Sequence, residues 1–399
     1  MVSERQSLDT SLLVATAILV ACGILFIYDA SFVRASQTHY TNFDPEFYLK
    51  RQFVWACVGT VALITAIAVP YWKLDRLAVA GMAITIGLLI LVLFAGHESH
   101  GSRRWFILGP LRIQPAEFAK IAVVLYLAQW MSVRKQKIRS LTEGFLPLAG
   151  LLGLLGVLVA IEPDLGTALV IVCTGTVMLF VGGARKRHLL MLGLVGVLAV
   201  VVLIWMEPYR WDRVLDWLNP ERDVQGSGYQ VVQSLIALGS GGLVGVGLGQ
   251  GRQKYFYLPA EHTDYILGTI GEELGFLGTM GLLVLFLYVA VRGFTIAHRT
   301  KDPFGSLIAS GLTTMITVQA LLNIGVVTKT LPATGVPLPF ISYGGSSLVL
   351  TMIAMGLLAN ISQYPGGSPS AARGNKGSNE DLLDRRWDRR ARLSSHRHR

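Results

Sequence analysis

Tyr255-Phe-Tyr-Leu-Pro-Ala-Glu-His-Thr-Asp264 runs straight into Tyr265-Ile-Leu-Gly-Thr-Ile-Gly-Glu-Glu273, and from there into an apolar run that lasts to about residue 292. Glu261, His262, Thr263 and Asp264 therefore stand together at the lip of a hydrocarbon-length segment. A carboxylate at such an edge is costly unless it is partnered or used. The same lip closes the longest hydrophilic excursion in an otherwise apolar chain. This placement marks Asp264 as a candidate catalytic base at a membrane surface. The competing reading is a polar helix start, with Thr263 or Asp264 as N-cap, since their side-chain oxygens accept from free N–H groups of a first turn.

Working outward, the whole chain has the same character. Of 399 residues 52% are hydrophobic and only 15% charged, against about 25% charged in soluble domains. Apolar runs of about 18 residues or more recur, each long enough to cross a bilayer core. The expected fold class is an all-α, polytopic membrane protein, which excludes a multi-domain soluble enzyme. The net charge of +10 then speaks for basic loops against anionic membrane lipid, not for nucleic acid. Cys22, Cys57 and Cys173 each sit inside an apolar run and read as packed small hydrophobes without a disulfide framework.

The hydropathy pattern draws ten spans, at 12–31, 52–70, 77–95, 116–133, 145–161, 164–182, 189–206, 265–292, 304–328 and 346–362. The first run exceeds the roughly 7–15 residues of a signal-peptide core and is expected to be retained, with cleavage near Ala30–Ser36 as the alternative. Short loops after the even spans carry Lys73 and Arg76; Arg134, Lys135, Lys137 and Arg139; Arg185, Lys186 and Arg187; and Arg292, Arg299 and Lys301. By the positive-inside rule both termini are cytoplasmic. Residues 1–362 form the membrane domain, with a large extracytoplasmic loop over about 207–264. Residues 363–399 are Gly/Ser/Pro-rich, then Arg-rich, and too poor in apolar residues to fold. They read as a disordered basic cytoplasmic tail.

The unusual chemistry gathers in the outward segments. One spans His97–Lys120 and holds Arg103, Arg104, Trp105, Arg112, Glu117 and Lys120. Another is the tight turn Glu162-Pro-Asp-Leu-Gly-Thr167. A third is 207–264, whose stretch Gln225–Gly251 is amphipathic and then Gly-rich, too short to cross and read as a helix dipping into the outer leaflet. The last, Lys329–Ser347, is broken by Pro332, Pro337, Pro339 and Gly344-Gly345. Irregular backbone near membrane depth survives only when buried in protein or lining a wet cavity, so this segment is expected to fold inward.

Outward cations run against the topological trend and point to an anionic ligand, phosphate above all. Their alternative role is partnering Glu117, Asp164 or Glu207. Glu272 and Glu273 are expected to pair with basic residues rather than touch substrate. The absence of HxxxH and CxxC spacings disfavours zinc. A divalent Mg²⁺ or Mn²⁺ held by carboxylates and ligand phosphates is compatible with these residues and would leave no signature in sequence.

Seven motifs in order then carry a resemblance. Gly101-Ser-Arg-Arg-Trp105, Gln114-Pro-Ala-Glu117 with Lys120, Glu162–Thr167, Gly228-Tyr-Gln-Val-Val-Gln-Ser234, Leu258-Pro-Ala-Glu-His-Thr-Asp264, Gly271-Glu-Glu-Leu-Gly275, and Gly335–Pro339 with Ser342-Tyr-Gly-Gly-Ser-Ser347 resemble the SEDS family of bacterial cell-wall synthases over about residues 8–362. Phe47–Trp55, Trp217-Leu-Asn-Pro220 and Phe256-Tyr-Leu-Pro259 look like its division-type (FtsW) branch, whereas Thr334–Pro339 is shared with the elongation-type (RodA) branch.

The resemblance implies a ten-span peptidoglycan glycosyltransferase polymerising lipid II on the outer face of the bacterial inner membrane, at the division septum. It implies a class B (FtsI-like) transpeptidase and FtsQ/FtsL/FtsB-like proteins as partners. The family's key aspartate falls on Asp264, and its functional Trp, Glu and Lys fall on Trp105, Glu117 and Lys120. Arg103, Arg104, Glu261, His262, Ser342 and Gly344 complete the candidate substrate-binding set. Lys120, Arg103, Arg104 or a divalent metal is expected to hold the leaving pyrophosphate. The rival readings are a lipid II flippase, an elongation polymerase and a non-enzymatic division scaffold.

Overall fold

The computed structural model describes residues 6–99, 102–108, 111–222, 226–255 and 262–366. Glu261 and the basic tail from 367 lie outside the described residues. Twelve α-helices are found among the described residues: α1 (Thr10–Gln37), α2 (Phe47–Ala68), α3 (Leu74–Ala95), α4 (Pro115–Val133), α5 (Leu146–Ile161), α6 (Leu165–Val181), α7 (Lys186–Trp205), α8 (Pro208–Leu218), α9 (Ser227–Ser240), α10 (Ile266–Arg299), α11 (Pro303–Val327) and α12 (Gly345–Ser362). Nine are long and apolar enough to cross a membrane, and the 17-residue α6 is a shorter apolar helix of the same kind. These ten overlay the ten spans read from hydropathy. Helices α8 and α9 fall in the large loop.

α10 outruns its expected end. It has 34 residues, roughly 50 Å at 1.5 Å per residue, and its last two turns carry Arg292, His298 and Arg299. Arg292 is thus helical, not in a loop, and its guanidinium meets the Asp9 carboxylate at 2.6 Å. Asp9 also caps α1 by accepting from the Leu12 N–H at 3.2 Å. Both ends of the described chain meet here, where the Gln6 N–H donates to the Gln363 carbonyl at 3.0 Å.

Helices α11 and α12 are the most buried, whereas α7 is exposed along nearly its whole length. The cysteines remain unpaired, with Cys57 and Cys173 on exposed faces. They are not core-packed as expected, because a thiol is as compatible with lipid as with a protein interior.

Hydropathy did not reveal a small antiparallel ribbon of β1 (His97–Ser99), β2 (Ser102–Leu108) and β3 (Leu111–Ile113), paired in that order. Its seven-residue middle strand is rich in aromatic and β-branched side chains, which suit a pleated surface.

The Gly-rich run explains a break in α10. Gly275 has φ 66°, outside helical space, and frees backbone groups that the run satisfies. Val246 and Gly247 N–H donate to the Glu272 and Glu273 carbonyls at 3.0 and 3.1 Å. Phe276 and Leu277 N–H donate to the Gly242 and Leu243 carbonyls at 2.9 and 3.0 Å. Gly245 has φ 83°, and a Cβ there would collide with the Glu273 carbonyl; only glycine fits both demands.

The Glu272 and Glu273 side chains are structural, as expected. Glu273 accepts from Gly249 and Gly251 N–H, both at 3.0 Å, and pairs with Lys254 at 2.9 Å. Lys254 also reaches Asp29 of α1 at 2.7 Å. Glu272 accepts from the Arg252 and Gln253 N–H at 2.8 and 3.2 Å, so its partner is backbone and not a basic side chain.

Candidate active site

Asp264 sits in the turn just before α10. Three successive carbonyls of that turn are tied down. His262 O accepts from the Tyr343 N–H at 3.0 Å, Thr263 O from the Ser342 hydroxyl at 2.6 Å, and Asp264 O from the Asn323 amide at 2.7 Å. Asn323 also donates to Val336 O at 2.8 Å, and the Ser342 hydroxyl accepts from the Leu338 N–H at 2.8 Å. The proline-broken segment therefore folds inward, as its backbone chemistry demanded, and serves as the mould that sets the aspartate's position.

With its backbone fixed, the Asp264 side chain is left to face a cavity of about 650 Å³ lined by Ser102, Arg104, Trp105, Pro163, Glu207, Tyr209, Arg210, Arg213, Thr334 and Gly335. All four outward segments contribute. The carboxyl has no hydrogen-bond or ion-pair partner among the described residues. Burial pushes it up to about 6, with Asp164 adding, and Arg213, His262 and Arg104 pulling the other way. Its partial exposure comes from this cavity.

The candidate residues divide by position. Trp105 and Arg104 line the cavity, and Arg104 is steadied by donating to Pro163 O at 2.7 Å. Arg103 does not line it. It turns to Glu98 at 3.4 Å and to a separate apolar groove. Glu117 and Lys120 are not in the cavity either. They form a buried ion pair at 2.8 Å, because i and i+3 share a face of α4. Lys120 also donates to Gln319 at 2.7 Å, and Gln319 to Pro337 O at 3.0 Å, so the pair supports the mould from behind.

His262 packs against the rings of Tyr48, tilted at 4.7 Å, and Tyr343, edge-on at 5.8 Å, which also touch each other. Ser342 belongs to the mould and Gly344 caps α12; none of these three lines the cavity. Behind the wall, Asp164 caps α6 through the Thr167 N–H at 3.0 Å and accepts from Gln114 at 2.8 Å. Glu162 is 1% exposed with both oxygens unpartnered among the described residues. Burial, aided by Asp164 and opposed by Arg104, pushes it up to about 8.

Sequence reasoning missed the α8 residues Glu207, Tyr209, Arg210 and Arg213. Pro208 starts this helix at N1, where a missing N–H costs nothing, and positions 209, 210 and 213 then share one face. That spacing was the available signal. Among the described residues no group of three or more His, Cys, Asp or Glu is placed to hold a metal ion.

The comparisons agree with this geometry. The FtsW/RodA/SpoVE profile, described as cell cycle protein, matches residues 9–366. Stage V sporulation protein E of Bacillus subtilis is 43% identical over 366 residues, covering 91% of this chain and 99% of that protein. A probable peptidoglycan glycosyltransferase FtsW of Geobacter metallireducens is 38% identical over 371 residues, covering 92% and 97%. Among solved structures, a chain of a peptidoglycan synthase complex that coordinates polymerization and crosslinking aligns with TM-score 0.73 at 31% identity, covering 90% of this chain and 98% of that one. Thermus thermophilus RodA aligns with TM-score 0.67 at 30% identity, covering 90% and 98%. With the family model matched over residues 9–366 and relatives of 38–43% identity covered almost end to end, this helical membrane chain belongs to the FtsW/RodA/SpoVE family.

Proposed function

We propose that the chain is a membrane peptidoglycan glycosyltransferase that polymerises lipid II into glycan strands, with Asp264 as general base. The observation that carries this reading is a carboxylate with a pinned backbone, an uncommitted side chain and a guanidinium-lined cavity before it, placed where a span begins. The names of the relatives support the same activity.

In the step proposed, an acceptor sugar hydroxyl attacks the donor's anomeric carbon and its proton passes to Asp264. The bond from that carbon to the diphosphate oxygen breaks, and the electron pair leaves with the diphosphate. Such a base typically contributes roughly 10²–10⁴-fold, and works best when its pKa is drawn toward the working pH. Arg104 lies across the cavity to stabilise the charge gathering on the leaving group. Trp105 offers an aromatic face to a sugar ring. Polyprenyl tails stay in lipid, which places the site at membrane level. A divalent Mg²⁺ or Mn²⁺ carried on the diphosphate would add to the charge stabilisation there.

The basic loops lie at the end opposite the cavity, which supports a cavity opening on the outer face of the inner membrane and cytoplasmic termini. The FtsW names support septal synthesis, while the SpoVE relative and the RodA structures support the same chemistry at sporulation or elongation. The synthase-complex neighbour supports a transpeptidase partner of class B, with FtsQ/FtsL/FtsB-like proteins as its division companions.

The test is glycan formation from lipid II by the purified chain in detergent, alone and with the transpeptidase. Polymer is expected. Lipid II binding with no polymer under either condition would favour a transporter, since micelles have no second compartment.

A further inference from the structure

Helix α7 ends beside the cavity-lining α8, so its start lies roughly 30 Å away, at the other end of the bundle. There two loops distant in sequence are fastened together. After α4 the chain folds back on itself through short turns over Lys137–Arg139 and Leu141–Phe145. Ile138 is buried in the fold, and a Cβ on Gly144 would collide with the Lys137 carbonyl. The loop between α6 and α7 is closed by the Ala184 N–H, which donates to the Leu179 carbonyl at 3.0 Å, across Gly183 at φ 93°. The rings of Phe145 and His188 meet at 5.2 Å and join the two loops.

This junction gathers cations. Arg134, Lys135, Lys137 and Arg139 stand exposed on one loop, and Arg185, Lys186 and Arg187 on the other. Glu143 is the one carboxylate in either loop, and it reaches Lys137 at 3.3 Å. Elsewhere at this end carboxylates stand among the cations. Arg292 meets Asp9, and α11 starts on the capping carboxylate of Asp302. Helix α7 has neither a side-chain cap nor an acidic residue in its first turn. Its free N–H groups add positive potential to the three cations around them. The positive-inside trend accounts for basic residues in such loops, but not for tying two of them into one unneutralised surface.

Depth decides what neutralises it. Val133, Leu146, Val181 and Leu190 flank the loops on the helix ends and are exposed, as apolar side chains facing hydrocarbon are. The cations therefore sit at the level of lipid headgroups, where each Lys or Arg adds to the attraction for anionic lipid. Helix α7 also lacks other anchors, since His188 is its single buried residue. Each loop supplies at least three cations, more than one singly charged headgroup neutralises. A headgroup with two phosphates offers one to each loop.

We propose that the α4–α5 and α6–α7 loops form one seat for a phospholipid carrying two phosphates, a diphosphatidylglycerol, whose headgroup bridges them and holds the start of α7 to the bundle. The seat does not rest on the glycosyltransferase reading.

Native mass spectrometry of the full-length protein released from micelles counts bound lipid directly. The probes are tetraoleoyl diphosphatidylglycerol, dioleoyl phosphatidylglycerol with its one phosphate, and zwitterionic dioleoyl phosphatidylcholine. One diphosphatidylglycerol is expected to stay bound, at least about tenfold more tightly than phosphatidylglycerol, with phosphatidylcholine lost. This comparison needs no variant. Arg185→Gln/Lys186→Gln/Arg187→Gln and, separately, Lys135→Gln/Lys137→Gln/Arg139→Gln should each weaken diphosphatidylglycerol by about tenfold or more. Arg185→Lys/Arg187→Lys, which keeps the charge, should bind like the parent. So should Arg299→Gln/Lys301→Gln, which removes charge from another loop at the same end. The lipid should raise the thermal midpoint of the parent and of these two controls, but of neither triple variant.

Equal affinity for the one- and two-phosphate lipids overturns the seat, as does parental affinity in a folded triple variant. An equal loss in Arg299→Gln/Lys301→Gln also overturns it, since the attraction would then be diffuse surface charge. A polyglutamate peptide that binds the parent and is lost from both triple variants, where diphosphatidylglycerol is not retained, would assign the surface to an acidic protein segment instead.

Discussion

The side chain of Asp264 carries opposite demands, and its acid–base behaviour follows from them. Burial disfavours its charged form and raises it to about 6, while catalysis as a base needs that charged form. Activity limited by the chemical step should therefore rise with pH along a limb centred near 6 and level off above it. The same shift has a stability consequence. The folded protein holds this proton more tightly than the unfolded chain, whose carboxyl titrates near 3.8. The contribution is favourable below that value, declines as pH rises toward 6, and is a standing penalty above it. Asp264→Asn should then stabilise the fold at pH 8 by on the order of 1–3 kcal/mol, seen as a higher thermal midpoint in detergent, with the gain vanishing below the unfolded value of 3.8. A variant less stable than the parent at pH 8 would mean that the carboxylate is partnered rather than poised.

At the level of elements, the site depends on how loops are held from behind. Glu117 and Lys120 were legible as functional candidates only through the resemblance carried by Gln114-Pro-Ala-Glu117 with Lys120, and their pairing only as the alternative role of an outward cation. Their role was not legible, because it depends on Gln319 and Pro337, about 200 residues away. Lys120→Met leaves a buried carboxylate without its cation and should cost about 3–5 kcal/mol. Adding Glu117→Leu should recover much of that stability but not the activity, if the pair also sets the position of the mould. Thermal midpoints together with glycan yield separate these effects.

The break in α10 gives a second prediction. Gly245→Ala forces a left-handed residue against the Glu273 carbonyl and should destabilise the fold by more than about 1 kcal/mol, read as a lower thermal midpoint. Gly239→Ala, in open space on α9, should be neutral or stabilising by up to about 1 kcal/mol. Helix α8 escaped notice for a definite reason. A short helix dense in charge reads as solvated surface, and only the three other outward segments folded around it make Arg210 and Arg213 face inward.

Across the whole molecule, the ten spans were readable because hydrocarbon length is a one-dimensional requirement that each segment meets alone. The ribbon, the α10 break and the cavity wall depend on pairings distant in sequence, which hydropathy does not encode. Orientation gives a prediction at this scale. With Cys22, Cys57 and Cys173 replaced by alanine, Glu98→Cys should react with a membrane-impermeant maleimide on intact cells and Lys135→Cys should not. The reverse pattern would place the cavity on the wrong side of the membrane for exported precursors.

The central claim is that one carboxylate, pinned by three backbone carbonyls and facing a cationic cavity, removes the proton that lets two lipid-borne sugars be joined. Its most direct test is polymer yield from lipid II by folded Asp264→Asn at pH 7.5, with diphosphate binding intact. The account predicts a loss of at least about 10²-fold. Glycan formed at the parental rate would contradict it.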